Sequence, residues 1–181
     1  MRRKYFVYMI CLVLVPVLSC GHMESRKDTR EAENRILQQE DGIVSLKLDK
    51  AGFYCDLANP SNNTADWNVV ISKPGNYKVW LSSATKDTSD LRYTNSVRIS
   101  LLDNQLEAKP GCDKIVLNSS DVQYPYFRAD SYMGSVYVSD PGEYNIQVIS
   151  EKAIAKTTES QGISPAVDTR LISVILTPES R

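Results

Sequence analysis

Apolar and polar residues alternate with a period of two along most of this chain. Trp67, Val69 and Ile71 share one phase, as do Tyr77, Val79 and Leu81, and then Val97, Ile99 and Leu101. Val44, Leu46 and Leu48 alternate with Ile43, Ser45, Lys47 and Asp49. Side chains of a strand point to opposite faces in turn, so each set predicts a strand with one face in a core. The stretch 171–178 is apolar in both phases, which predicts a strand central in a sheet.

One pattern occurs twice. Residues 67–83 read Trp-Asn-Val-Val-Ile-Ser-Lys-Pro-Gly-Asn-Tyr-Lys-Val-Trp-Leu-Ser-Ser, and 134–150 read Gly-Ser-Val-Tyr-Val-Ser-Asp-Pro-Gly-Glu-Tyr-Asn-Ile-Gln-Val-Ile-Ser. Ser72, Pro74, Gly75, Tyr77 and Val79 match Ser139, Pro141, Gly142, Tyr144 and Ile146. Each copy predicts strand, Pro-Gly turn, strand, and so a β-hairpin, with positive φ expected at Gly75 and Gly142. With the two turns at one end, four longer connections meet at the other: 54–66, 82–95, 119–132 and 154–168. A short strand is expected at 114–117, and turns at Asp103-Asn104 and Lys109-Pro110-Gly111.

Long loops on a rigid scaffold are where binding residues concentrate. These carry Arg92, Tyr93, Tyr124, Tyr126 and Arg128, a mixture of flat aromatic faces and planar cations. Such groups suit sugars: rings stack on C–H surfaces, and planar donors pair hydroxyls or carboxylates. Trp80 is out of phase with Tyr77, Val79 and Leu81, and its counterpart in the second copy is Gln147. It should therefore face outward, as a sugar platform or as a ring covered by another segment.

Charge and composition narrow the function. The formal net charge of −1 gives no support for a nucleic-acid partner. His22 is the only histidine, and it precedes the predicted strands, so no histidine triad or histidine-rich metal site belongs to them. No carboxylate pair stands out by spacing, and the expectation is a protein that is not an enzyme.

The first residues read as an export signal over 1–19. Arg2, Arg3 and Lys4 precede an apolar run too short to span a bilayer comfortably. That run ends Val17-Leu18-Ser19-Cys20, which resembles the bacterial lipobox and implies acylation of Cys20. Gly21 rather than aspartate follows, which by the enteric sorting rule implies a lipid-anchored protein of the Gram-negative outer membrane. Residues 20–39 are charged and nearly free of large apolar side chains, so a tether is expected there, with 30–39 able to form a short helix. The folded domain is expected over 40–181. Cys55 and Cys112 then remain in an oxidising compartment, either as a disulfide or as two buried thiols.

Lys-Pro-Gly-Asn-Tyr, Val-Arg-Ile-Ser-Leu-Leu-Asp-Asn-Gln-Leu, Met-Gly-Ser-Val-Tyr-Val-Ser-Asp-Pro-Gly-Glu-Tyr and Leu-Ile-Ser-Val-Ile-Leu-Thr-Pro follow one another in the chain. Their order resembles the galactose-binding-like modules of bacterial glycoside hydrolases. The resemblance is greatest to the C-terminal module of bacterial α-L-fucosidases and more distant to carbohydrate-binding modules of families 6 and 35. It implies an all-β jelly-roll β-sandwich of two antiparallel sheets; its motifs are turns and core strands, which specify the fold well and the ligand poorly. Many such modules hold a structural calcium near the domain start. Here only Glu40 and Asp41 lie at that place, and the Glu-x-Glu pattern of family 6 is missing. A structural or adaptor module with a protein partner is the alternative.

Overall fold

The alternation becomes two packed sheets. The computed structural model describes residues 35–155 and 168–179. They form strands β1 (Arg35–Leu37), β2 (Val44–Lys47), β3 (Gly52–Tyr54), β4 (Thr64–Ile71), β5 (Gly75–Thr85), β6 (Val97–Leu101), β7 (Asn104–Ala108), β8 (Lys114–Val116), β9 (Phe127–Val138), β10 (Gly142–Ile149) and β11 (Thr169–Pro178). One sheet has the order β1-β4-β10-β6-β7, with β3 also on β4; the other has β2-β11-β5-β9-β8. The fold is the expected β-sandwich, antiparallel except where β1 lies parallel to β4.

The predicted inward phases hold. Val44, Leu46, Trp67, Val69, Ile71, Tyr77, Val79, Leu81, Val97, Ile99 and Leu101 are all buried. Each fully buried large side chain contributes roughly 1.5–3 kcal/mol relative to exposure. The Trp67 indole is enclosed, and its Nε1–H donates to the Lys47 carbonyl at 2.9 Å, so its one polar atom is satisfied. β11, apolar on both faces, lies between β2 and β5.

The repeated stretches are not hairpins. β4 and β5 flank the first Pro-Gly turn but belong to different sheets, and so do β9 and β10 at the second. Each copy is an arch that crosses the core. The strands pair between copies instead: β4 with β10, and β5 with β9. The sequence pattern for an arch and for a hairpin is the same, because both put one phase inside. Ile71 lies opposite Gly142 and Gly75 opposite Val138, so both turns do sit at one end. Thr64 opposite Ile149, and Thr85 opposite Phe127 and Thr169, mark the other end, where the described connections 55–63, 86–96 and 117–126 meet the strands.

The shared tyrosine explains the repeat. The Tyr77 hydroxyl donates to the Lys73 carbonyl, and the Tyr144 hydroxyl to the Asp140 carbonyl, in each case the residue before the proline. The ring thus ties the strand after the turn to the turn itself. Gly75 has φ +151°, whereas Gly142 is not among the positive-φ glycines, so the expected positive φ holds at one turn only. The first turn has an extra clamp. The Gln38 side-chain oxygen accepts from Ser72 N, Ser72 Oγ and Lys73 N at 2.8–3.0 Å, and its Nε2 donates to Tyr77 Oη and the Gly42 carbonyl.

Three expectations need correction. The stretch 30–39 does not hold a helix where it is described, since Arg35–Leu37 is a strand on β4. The sandwich therefore begins before residue 40. Residues 127–132 are strand rather than loop, because β9 starts at Phe127. Cys55 and Cys112 are free thiols, each partly buried. Cys55 follows β3 in one sheet, while Cys112 precedes β8 in the other, and no disulfide joins them. Residues 1–34, with the export signal, Cys20 and most of the tether, and most of the 154–168 connection lie outside the described residues.

Candidate functional site

A bulge in β9 sets the outer face of the second sheet. The β5–β9 register slips between Val79–Gly134 and Trp80–Tyr132, leaving Met133 as the extra residue. Met133 is buried, and a Cβ at Gly134 would meet the Leu106 side chain across the core, so two successive residues point inward. Gly134 takes φ +131°, a conformation that suits glycine. The phase of β9 is thereby reversed, and Tyr132 comes to the outer face opposite Trp80.

Trp80 and Tyr132 form an aromatic pair there. Their ring centroids are 5.3 Å apart and tilted by 56°. Trp80 is half-buried and Tyr132 is 44% exposed. Trp80 Nε1–H donates to Thr177 Oγ1 at 3.3 Å, and Tyr132 Oη bonds Ser135 Oγ at 2.9 Å. Ser135 Oγ in turn donates to Glu179 Oε1 at 3.1 Å. Ile175 stands beside Trp80 on β11, and Tyr137 extends the face toward the turn end. The arrangement offers an apolar V-shaped surface bordered by hydroxyls and one carboxylate. Trp80 faces outward as its phase predicted. The phase of Tyr132 could not be read from sequence, since no residue pattern announced the bulge.

The loop-end half of the same face is closed. Residues 117–126 cross it, and Asp121 joins its two sides through Lys47 of β2 at 2.9 Å and Arg128 of β9 at 2.9 Å. Beneath them Arg128 forks onto Asp130 at 2.9 and 3.1 Å, and Asp130 accepts from Ser82 Oγ at 2.7 Å. Ser82 and Asp130 are buried. The hydrogen bond from Lys47, ahead of the charges of Lys47 and Arg128, holds the Asp121 carboxyl below its usual range.

The residues expected at the loop end do not assemble into one site. Tyr93 is core, with its hydroxyl at 2.9 Å from Ser83 Oγ; burial pushes its pKa far up. The 86–96 connection turns inward at Leu91 and Tyr93, which is why a tyrosine in a loop offers no face to solvent. Arg128 is committed to Asp121 and Asp130, with its side chain 16% exposed. Arg92 is exposed but bonded to Asp168 at 3.0 Å, with Asp87 at 3.8 Å. The half-buried Tyr126 ring has Lys86 and Arg170 each 5.2 Å from its centroid. Only Tyr124, 92% exposed, presents an open ring.

At the domain start, Asp41 Oδ1 accepts from the Ile43 N–H at 2.9 Å, closing a turn. Among the described residues no three His, Cys, Asp or Glu side chains gather as a metal site would require.

No protein-family model matches this chain, and no curated protein matches its sequence. Solved structures do match. A segment of the α-L-fucosidase from Vibrio sp. strain EJY3 overlays with TM-score 0.61 and 20% identity, covering 81% of this chain and 24% of that one. The GH26-CBM35 β-(1,4)-mannanase of Podospora anserina matches with TM-score 0.44 and 11% identity, over 78% of this chain and 29% of that one. The chain thus spans about a quarter of the fucosidase, and what the two share is the fold of this β-sandwich.

Proposed function

We propose that this protein is a non-catalytic lipoprotein of the bacterial cell envelope that binds carbohydrate on the open half of its second sheet. The observation that carries the reading is the outward Trp80–Tyr132 pair, placed by a bulge beside hydroxyls and a carboxylate. Aromatic faces with adjacent hydrogen-bonding groups are what a sugar's two kinds of surface require. The fold likeness to part of a fucosidase supports it by analogy only. The lipobox-like Val17-Leu18-Ser19-Cys20 supports the anchor, with Gly21 favouring the outer membrane.

Titration calorimetry against plant, host and bacterial glycans tests the site. A shallow platform should bind with Kd on the order of 10–1000 μM. Trp80→Ala or Tyr132→Ala should weaken it by about 1 kcal/mol or more, roughly five-fold. Tyr124→Ala should leave it unchanged. Glycan binding that ignores Trp80 and Tyr132 would move the site to the loop end.

A second reading is an adaptor with a protein partner. It is favoured by Leu57, Leu117 and Tyr124, all strongly exposed on loops of the same end. Absence of glycan binding at millimolar concentration would leave this one standing.

A further inference from the structure

The border of the Trp80–Tyr132 pair is polarised. The Ser135 hydroxyl donates to Glu179 Oε1 at 3.1 Å, and a hydroxyl has one proton to give. Its 2.9 Å bond with Tyr132 Oη must then run from the tyrosine, so Tyr132 donates to Ser135 and Ser135 to Glu179. Trp80 Nε1–H is given to Thr177 Oγ1 at 3.3 Å. The side-chain protons of Trp80, Tyr132 and Ser135 are thus in use. What remains to offer is lone pairs, on Tyr132 Oη, Ser135 Oγ and the Glu179 carboxylate. A ligand resting on the two rings meets acceptors and has to bring the donors itself.

Glu179 is also held in place. Its backbone N–H donates to the Asn76 carbonyl at 2.9 Å, which ties it to β5, and its side chain is held by Ser135. A carboxylate fixed before the ligand arrives loses little freedom on binding.

The charges around the pair balance. In the adjoining rows of the sheet, Lys78 stands between Thr177 and Ser135 on the turn side, with Lys47, Asp130 and Lys114 on the loop side. Lys47, Asp121, Arg128 and Asp130 bond one another, cation to carboxylate. Asp113 accepts from the Tyr132 N–H at 2.7 Å. Among the described residues of these rows, Lys78 and Lys114 are then matched by Glu179 and Asp113, and no net charge draws an anion to the pair. Lys78 is exposed and makes no ion pair or side-chain hydrogen bond among the described residues. A ligand would have to order that long side chain before using it.

We propose that this face selects a neutral saccharide and rejects the corresponding uronic acid, with Glu179 as the specificity-determining residue. Its carboxylate accepts hydroxyl protons from a sugar lying on Trp80 and Tyr132, and repels a sugar carboxylate brought to the same place. The inference rests on the reading that this face binds carbohydrate, and adds the class of sugar.

Three pairs of hexasaccharides test it, each pair alike in linkage and differing only in a hydroxymethyl or a carboxylate at C6. They are β-1,4-mannohexaose and its hexamannuronate, cellohexaose and its hexaglucuronate, and α-1,4-hexagalacturonate in carboxyl-reduced and native form. Each is titrated into the protein by calorimetry or NMR shift mapping. In a pair that binds, the neutral member should bind at least about five-fold more tightly than the uronate. Glu179→Gln should weaken the neutral member about three- to ten-fold and tighten the uronate about two-fold or more, a gain that damage to the fold could not produce. Lys78→Gln should leave the neutral member within about two-fold. Equal or tighter binding of the uronate, indifference of both to Glu179→Gln, or loss of binding in Lys78→Gln would each overturn the proposal. Weakening by Trp80→Ala in the same titrations would then show the carbohydrate reading intact. Failure of every probe to bind at tens of millimolar would overturn that reading and this inference with it.

Discussion

At the scale of single residues, the two turn tyrosines are not equivalent. Tyr144 is partly exposed and makes one bond to its turn carbonyl. Tyr77 is buried and joins both the turn and Gln38. Removing a buried hydroxyl leaves its partners unsatisfied, at a cost of about 1–3 kcal/mol. Tyr77→Phe should therefore lower the urea-unfolding free energy by that amount, and Tyr144→Phe by about half as much or less. Tyr93 makes a different prediction. Its buried phenol is held protonated well above the ordinary value of 10.0. The folded state then keeps a proton that the unfolded chain gives up above pH 10. Its contribution to stability should be flat with pH below that point and fall by up to about 1.4 kcal/mol per pH unit above it. Equilibrium unfolding of Tyr93→Phe across pH 9–11 should lose that slope. A wild-type slope in the variant would assign the proton elsewhere.

At the scale of elements, the β9 bulge and the 117–126 crossing divide one sheet face into an open half and a closed half. Gly134→Ala places a methyl 3.0 Å from Leu106 Cδ2 at φ +131°. It should cost about 1–3 kcal/mol and shift the Tyr132 ring away from Trp80, visible as lost ring-current shifts in NMR. The crossing is pinned by Asp121, whose lowered pKa adds stability above about pH 4 that disappears as pH falls below it. Asp121→Asn should cost about 1 kcal/mol near neutral pH, flatten the acid limb, and speed hydrogen exchange in the crossing. These elements also mark where sequence alone sufficed. The inward phases of β4, β5 and β6 were legible because burial on one face imposes the period, and the central place of β11 was legible from its two apolar faces. The meeting of the loops at one end followed from the repeat. The partner of each strand was not legible, because an arch and a hairpin share one hydrophobic pattern. Tyr93 reads as a ligand residue because its surroundings in sequence are polar, while its burial is set by the path of the 86–96 segment. Arg128 carries no local sign that Asp121 and Asp130 would enclose it.

At the scale of the whole molecule, a sandwich on an acylated tether should follow its anchor. Cys20→Ala should move the protein from the detergent phase to the aqueous phase in Triton X-114 partition; an unchanged distribution would dismiss the anchor. Among the described residues no helix is long and apolar enough to cross a membrane. The crossed arches carry one more consequence, which concerns time. β4 finds its central partner in β10, and β5 lies between β9 and β11; Asn145 and Trp67, which touch across the first of these pairings, are 78 residues apart in the chain. Pairing over such separations must meet the closure entropy before it is rewarded, so refolding in milliseconds to seconds is expected. A chain emerging from synthesis offers its first arch only the short strands β1 and β3 until the second arch is complete. The two sheets cannot be completed before these late strands are made, and a chain whose sandwich has not closed is one that a narrow translocation channel can admit, so that delay suits the export proposed for it.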